Sequence, residues 1–212
     1  MRRPAAVTTL FLDIGGVVLS NGWDHHARRR AAKALAIDDA ELEQRHRAAF
    51  EVFETGKLTI DEYLGLVVFH CKRSFTRARF RRFMFEQSQP HPAMLALVAR
   101  LRTVHELKVV VVSNEARELN AYRIRTFGLA KLVDGFVSSC FVGIRKPDPQ
   151  IFRLALDLAQ AAPSQVVYID DTEMFVEVAA RLGIRSVHHV DARSTAAKLA
   201  SFGLHGGDRD AG

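Results

Sequence analysis

Short apolar runs alternate with helix-like spacing through the second half of the chain. Runs at 107–112, 136–137, 166–169 and 186–189 predict strands, and the segments between them carry apolar residues mostly at three- and four-residue intervals. An apolar run from Leu10 to Leu12 predicts a further strand near the N-terminus. Because apolar strands that alternate with helices form parallel sheets covered on both faces, the pattern predicts a doubly wound α/β domain.

The stretch that follows the first strand has a different pattern. Its apolar residues recur at helical spacing, and it contains no convincing β-branched run. Thr59 and Glu62 have the spacing of a capping box that opens a helix at Ile60. The predicted organisation is therefore a core domain at 1–20 and 90–205, an all-helical insert at 21–89 and a disordered tail at 206–212.

Composition narrows the class of protein. With 48% hydrophobic and 25% charged residues, the chain is neither a disordered nor a membrane protein, and no apolar run approaches the ~18 residues of a membrane span. Asp13 interrupts the first apolar run, which argues against a signal peptide. Cys71 and Cys140 lack the spacing of a metal site, so we expect reduced thiols and a cytoplasmic location.

The net charge of +6 comes largely from arginines at 28–30 and within 73–82, each set at helix-like spacing. Solvated helix faces, or a positive field that attracts a small anion, are favoured over a nucleic-acid surface. We expect no nucleic acid and no membrane as partners, and either a monomer or a homodimer.

Polar side chains follow the predicted strands at the points where they end. In open parallel sheets, ligands bind beyond these carboxyl ends. A loop stiffened by two prolines, GIRKPDP, adds an ammonium group. The candidate site residues are Asp13 after the first strand, Ser113 and Asn114 after the second, Asp170 and Asp171 after the fourth, and Lys146 in the loop.

These residue types suit phosphoryl transfer. Mg²⁺ prefers carboxylate oxygens and completes its coordination with phosphate and water. A carboxylate nucleophile can accept the phosphoryl group, while a hydroxyl and an ammonium stabilise its oxygens. Simpler interpretations remain: Asp170 and Asp171 could form a helix N-cap, and Lys146 could be a surface lysine.

The segments FLDIGGVVL, VVVVSN, GIRKPDPQIF and YIDDTEMFVEVAARLGI resemble, in order, the four motifs of the haloacid dehalogenase-like hydrolase superfamily. The insert is similar in position and type to that family's helical cap. The resemblance implies that Asp13 is the nucleophile, that Ser113 and Asn114 bind phosphate, and that Lys146 stabilises both the nucleophile and the phosphoryl group. It also implies a Mg²⁺ ion held by Asp13, Asp171 and the carbonyl of Gly15, with Asp170 in an outer position or bound through water. The substrate would be a small phosphorylated metabolite.

Gly15 departs from that family's phosphatase pattern. An aspartate two residues after the nucleophile normally protonates the leaving group and later activates water, and glycine can do neither. Such acid–base help is typically worth ~10²–10⁴-fold, so its loss predicts a slow enzyme. Asp24, His25 and His26 at the start of the insert are the nearest candidates to replace it.

Three functions are therefore considered. The first is a Mg²⁺-dependent phosphatase that forms an aspartyl-phosphate on Asp13. The second is a catalytically weak or inactive binding protein, for which Gly15 is the main support. The third is a 2-haloacid dehalogenase. That reaction needs no metal, so the presence of both Asp170 and Asp171 argues against it.

Overall fold

The computed structural model describes residues 5–206, and its centre is a five-stranded parallel sheet in the order β3-β2-β1-β4-β5. The first strand thus lies in the middle, flanked by β2 and β4. The strands are β1 (Thr9–Leu12), β2 (Lys108–Ser113), β3 (Gly135–Ser138), β4 (Val166–Asp170) and β5 (Arg185–His188).

Ten α-helices surround or precede this sheet within the described residues. They are α1 (His25–Leu35), α2 (Asp39–Glu54), α3 (Ile60–Val67), α4 (Arg77–Glu86), α5 (Pro92–His105), α6 (Arg117–Thr126), α7 (Ser139–Val142), α8 (Pro149–Ala159), α9 (Glu173–Arg181) and α10 (Ala192–Ala200). Two short 3₁₀ turns, Leu129–Lys131 and Pro163–Gln165, complete the list.

Alternate residues of the central strand enter different cores. Leu10 and Leu12 pack into an apolar cluster with α5 and α10, whereas Phe11 packs into another with α8 and α9. Both sheet faces are therefore buried, as the continuous apolar strands require. The predicted doubly wound α/β fold is confirmed.

Helices α1 to α4 build a third apolar cluster from the segment that the sequence predicts to be all helical. The predicted capping box is present, since Thr59 Oγ1 accepts from the Glu62 amide and Glu62 accepts from the Thr59 amide. Ala116 and Leu119 at the start of α6 pack into the same cluster. The division into core and cap domains stays a prediction.

The two connections to this helical insert run side by side. The Ser20 amide donates to Gln89 O at 2.8 Å, and the Gln89 amide donates to Ser20 Oγ at 2.9 Å. Leu19 and Pro90 form an antiparallel bridge at the same place.

Other details differ from the sequence prediction. The short helix α7 was not predicted. Arg28 is buried against Glu43 rather than solvated, although Arg29 and Arg30 are exposed. The predicted tail lies, apart from its first residue, outside the described residues.

Cys71 is an exposed free thiol and Cys140 a buried one, as expected of reduced cysteines. Among residues 5–206, no helix combines the length and the apolarity that crossing a membrane would require.

Candidate active site

The carboxyl ends of β1, β2 and β4 bring the predicted polar residues together. Leu12 lies beside Val111 on one side and Ile169 on the other, so the residues that follow emerge at one edge of the sheet. The Asp13 amide donates to Ile169 O at 3.0 Å and fixes the first of them.

Three carboxylates converge at this edge. Asp13, Asp170 and Asp171 each offer an oxygen atom within 4.8 Å of the others. The first two are buried and the third is partly exposed. An all-oxygen donor set of this charge fits a hard divalent cation such as Mg²⁺. The alternative of a helix N-cap is wrong, because Thr172 is the N-cap of α9 and neither aspartate precedes the helix directly.

Lys146 is buried among these carboxylates, with only 1% of its surface exposed. Its Nζ lies 3.0 Å from Asp13 Oδ1 and 2.5 Å from Asp170 Oδ2, and it donates to Tyr168 Oη at 3.1 Å. The interpretation as a surface lysine is therefore wrong.

The loop that carries Lys146 is fastened to the end of β2. The Asn114 amide group donates to Lys146 O at 2.9 Å and accepts from the Lys146 amide at 2.8 Å. This reciprocal pair fixes the lysine backbone relative to the neighbouring Ser113, whose side chain is buried.

Burial and charge oppose each other at Asp13. Burial raises the pKa of this carboxyl to about 7, Lys146 opposes the rise, and the nearby Asp170 adds to it. For Lys146, burial favours the neutral amine, but the charges of Asp13 and Asp170 outweigh it and raise the pKa of the ammonium group. A bound cation would favour the ionised form of Asp13.

Gly15 and Gly16 allow other groups to approach closely. A Cβ atom at Gly15 would lie 2.7 Å from Asn21 Oδ1, and one at Gly16, where φ is +72°, would lie 1.9 Å from Asp171 Oδ2. The Asn21 amide group in turn donates to Asp171 Oδ2 at 2.9 Å. A side chain at position 15 would therefore meet Asn21.

The three candidates to replace that aspartate lie in different surroundings. His25 and His26 are exposed, their rings contact each other, and neither lines the cavity above Asp13. Asp24 does line this cavity, but its Oδ1 accepts from the Ala27 amide and caps α1.

A cavity of about 310 Å³ joins these groups to the helical insert. Its lining residues come from both parts of the chain: Asp13, Gly15, Asn21, Gly22, Trp23, Asp24, Arg28, His46, Phe50, Phe53, Glu54, Ser113, Asn114, Glu115, Ala116, Leu119, Arg123, Arg145, Lys146, Asp171, Thr172 and Phe175. The insert thus contributes an aromatic wall, and Phe53 stacks on Tyr63 at 4.0 Å between ring centroids.

Several residues at this site were not predicted from the sequence. Tyr168 hydrogen-bonds both Lys146 and Asp170. Its position two residues before Asp170 on a strand is a usable signal, because alternate strand residues share a face. Asn21 and Arg123 gave no such signal, since Asn21 lies far in sequence from Asp171, and Arg123 lies far from Ser20 and Ser88.

The family model described as haloacid dehalogenase-like hydrolase matches residues 7–183. This chain belongs to the haloacid dehalogenase-like hydrolases. The hydrolase shares the fold of a HAD family enzyme from Bacteroides thetaiotaomicron, solved as a magnesium complex, with a TM-score of 0.73 and 20% identity over 87% of this chain and 94% of that one.

Two curated relatives illustrate the range of similarity. The hydrolase is 21% identical to D-ribitol-5-phosphate phosphatase of Bacteroides thetaiotaomicron over 85% of this chain and 90% of that protein. It is 43% identical to mouse acyl-CoA dehydrogenase family member 10, over 35% of this chain and 7% of that protein. The chain spans between 7% and 28% of the length of the first three curated relatives.

Proposed function

We propose that this hydrolase is a Mg²⁺-dependent phosphatase that removes phosphate from a small metabolite through an aspartyl-phosphate on Asp13. The observation that carries the proposal is the buried cluster in which Lys146 lies 3.0 Å from Asp13 and three carboxylates face one another. A lone strand-end aspartate would need neither a buried ammonium nor two further acids.

Asp13, Asp171 and the carbonyl of Gly15 would hold the Mg²⁺ ion, which when bound neutralises negative charge on the phosphoryl oxygens. Asp170 is better suited to an outer position. Its Oδ2 already accepts from Lys146 and Tyr168, and its Oδ1 accepts from the Thr172 amide at 2.7 Å.

In the proposed reaction, a carboxylate oxygen of Asp13 attacks phosphorus and the bond to the leaving oxygen breaks. Ser113, Asn114 and Lys146 bind the phosphoryl oxygens and keep them in line with the nucleophile. Water then attacks the phosphorus of the aspartyl-phosphate, which releases inorganic phosphate and restores Asp13. Because Gly15 carries no proton donor, the first step should depend strongly on the leaving group.

The charges around the cavity favour an uncharged leaving group. Each lining arginine is already paired, Arg28 with Glu43 at 2.6 Å, Arg145 with Glu54 at 2.9 Å, and Arg123 with Glu115. A second anionic group on the substrate would find no free guanidinium among them. The named activity of the Bacteroides relative, a phosphatase for a small polyol phosphate, agrees with this inference.

Hydrolysis of an aryl phosphate, with and without Mg²⁺, tests the proposal. An aryl leaving group needs little protonation, so turnover should occur despite Gly15 and should require the metal. Asp13→Asn should abolish turnover, whereas the matched control Asp157→Asn, on the exposed side of α8, should leave it unchanged. Absence of turnover in the unaltered protein would favour the binding-protein alternative, and metal-independent release of halide from a 2-haloacid would favour the dehalogenase.

Binding of Mg²⁺ can be measured separately from turnover, through the stability of the folded protein. A ligand present at a hundred times its dissociation constant stabilises the folded state by about 2.7 kcal/mol. Mg²⁺ should therefore raise the unfolding midpoint, and Asp171→Asn should remove most of that rise. Equal stabilisation in both proteins would contradict the assignment of Asp171 as a ligand.

A further inference from the structure

Arg123 of α6 lies buried at the place where the helical insert joins the core, with 2% of its surface exposed. Its Nε donates to Ser88 Oγ at 3.0 Å, and its Nη2 donates to Ser20 O at 2.8 Å. These two residues belong to the two separate connections of the insert. One guanidinium group therefore binds both connections at once.

The remaining partner of this guanidinium is Glu115, which lies two residues after the end of β2. Arg123 Nη1 donates to Glu115 Oε1, and Glu115 is also buried, with 4% of its surface exposed. Glu115 directly follows Asn114, whose side chain makes the reciprocal pair with the backbone of Lys146. Hydrogen bonds of Arg123 and Asn114, joined by the backbone between Asn114 and Glu115, thus link the connections of the insert to the loop that carries the lysine.

Gly22 leaves the space that the guanidinium occupies. A Cβ atom at this position would lie 2.1 Å from Arg123 Nη2 and 3.1 Å from Ser88 Oγ. Gly22 therefore cannot carry a side chain unless Arg123 moves. The buried position of Arg123 thus depends on a glycine at the start of the insert.

We propose that Arg123 is a positioning residue that couples the orientation of the helical insert to the end of β2, where Ser113, Asn114 and Glu115 lie. Its effect on turnover rests on the proposed phosphatase function, whereas its effect on the two connections does not. The planar guanidinium suits this task because its donors point to three segments in fixed directions, which a lysine cannot reproduce.

Arg123→Lys is the first test, with Arg102→Lys as the matched control. Arg102 also pairs with a carboxylate, Asp134 at 2.6 Å, and donates to a backbone carbonyl, but it is not among the residues that line the cavity. At a temperature well below the unfolding midpoint of either protein, Arg123→Lys should lower kcat/KM for an aryl phosphate by roughly tenfold or more. Small misplacements of catalytic groups lower the rate by this much. The control should stay within about twofold of the parent.

Amide hydrogen exchange at Ser20 and Gln89 supplies a readout that needs no activity. Both amides are bonded across the two connections, so release of the insert should speed their exchange by about tenfold or more, while the strand amides of β1 and β2 keep their protection. A purely structural arginine would instead lower protection throughout the protein and leave kcat/KM per folded molecule unchanged.

Gly22→Ala covers the case in which Arg123→Lys does not fold, because it displaces the guanidinium without removing a buried charge. Its control is Gly135→Ala, where an added Cβ meets no atom within 4 Å. Faster exchange at the two connections in Gly22→Ala, but not in the control, supports the proposal. Unchanged exchange in a folded Gly22→Ala protein overturns it, whether or not the parent hydrolyses phosphate.

Discussion

Replacing Lys146 by methionine perturbs the charge balance at the centre of the site while nearly keeping the side-chain volume. Lys146 is 1% exposed, and Asp13, 3.0 Å away, is 7% exposed. In the variant, Asp13 and Asp170 would face each other in a buried site without the ammonium group that now lies between them.

Loss of one partner from a buried ion pair typically costs about 3–5 kcal/mol, because the other charge stays buried and unpaired. For a chain of this size, one kcal/mol shifts the melting temperature by about 2–4 °C, so Lys146→Met should melt roughly 10 °C below the parent. Mg²⁺ must be left out of this measurement, since a bound cation would replace part of the lost charge.

The dependence on pH makes the prediction sharper. Burial already raises the pKa of Asp13 to about 7, from an ordinary value of 3.8, and loss of Lys146 removes an opposing charge and raises it further. Between the ordinary and the folded pKa, the folded state binds more protons than the unfolded state, so its stability falls as the pH rises. The deficit of Lys146→Met should therefore be smaller at pH 5 than at pH 8.

Urea unfolding of the parent and Lys146→Met at both pH values is the assay. Lys108→Met is the matched control, because Lys108 is exposed and its Nζ donates to the Ala159 carbonyl rather than to a carboxylate. The control should change stability by no more than about 1 kcal/mol at either pH. A deficit of Lys146→Met that is equally small, or that grows as the pH falls, would show that Lys146 does not offset the charge of Asp13.

Three further predictions concern other parts of the chain. Gly15→Asp should not accelerate hydrolysis of an aryl phosphate and should weaken stabilisation by Mg²⁺, because its Cβ displaces Asn21 from its bond to Asp171. Faster hydrolysis together with stronger Mg²⁺ stabilisation in Gly15→Asp would contradict this. Burial lowers the pKa of His46, whose Nδ1 lies 2.8 Å from Tyr63 Oη, to about 4. The contribution of His46 to stability should therefore be lost as the pH falls from about 6.5 towards 4, and the stability of His46→Gln relative to the parent should rise over that range in urea titrations. Thr59→Ala should cost about 1 kcal/mol in the same measurement by removing the capping box, and no change would show that the cap is dispensable.

The sequence was sufficient to predict the sheet and the convergence of the polar residues at the carboxyl ends of its strands. Apolar strands and helical periodicity depend on local residues, and parallel strands place their carboxyl ends at one edge, so Asp13, Ser113 and Asp171 could be expected to meet. The burial of Lys146 was not evident from its polar loop, and it follows from the reciprocal bonds that Asn114 makes to its backbone.

Long-range side-chain contacts were beyond sequence reasoning. Arg28 belongs to a run of three arginines, yet it is buried because Glu43 of another helix pairs with it at 2.6 Å. Arg123 looked like one more basic residue of α6 until its partners, 35 and 103 residues away, were known. Such contacts depend on how the helices pack against one another and against the sheet, which periodicity does not encode.

The claim that Asp13 receives the phosphoryl group is tested most directly by trapping the intermediate. The protein would be mixed with an aryl phosphate and Mg²⁺, quenched in acid within one turnover, digested and mapped by mass spectrometry. If Asp13 is the nucleophile, the peptide that contains Asp13 should carry one added phosphoryl group, and the same peptide of Asp13→Asn should carry none. A phosphoryl group on another residue, or turnover of the substrate with no labelled peptide at any time, would contradict it.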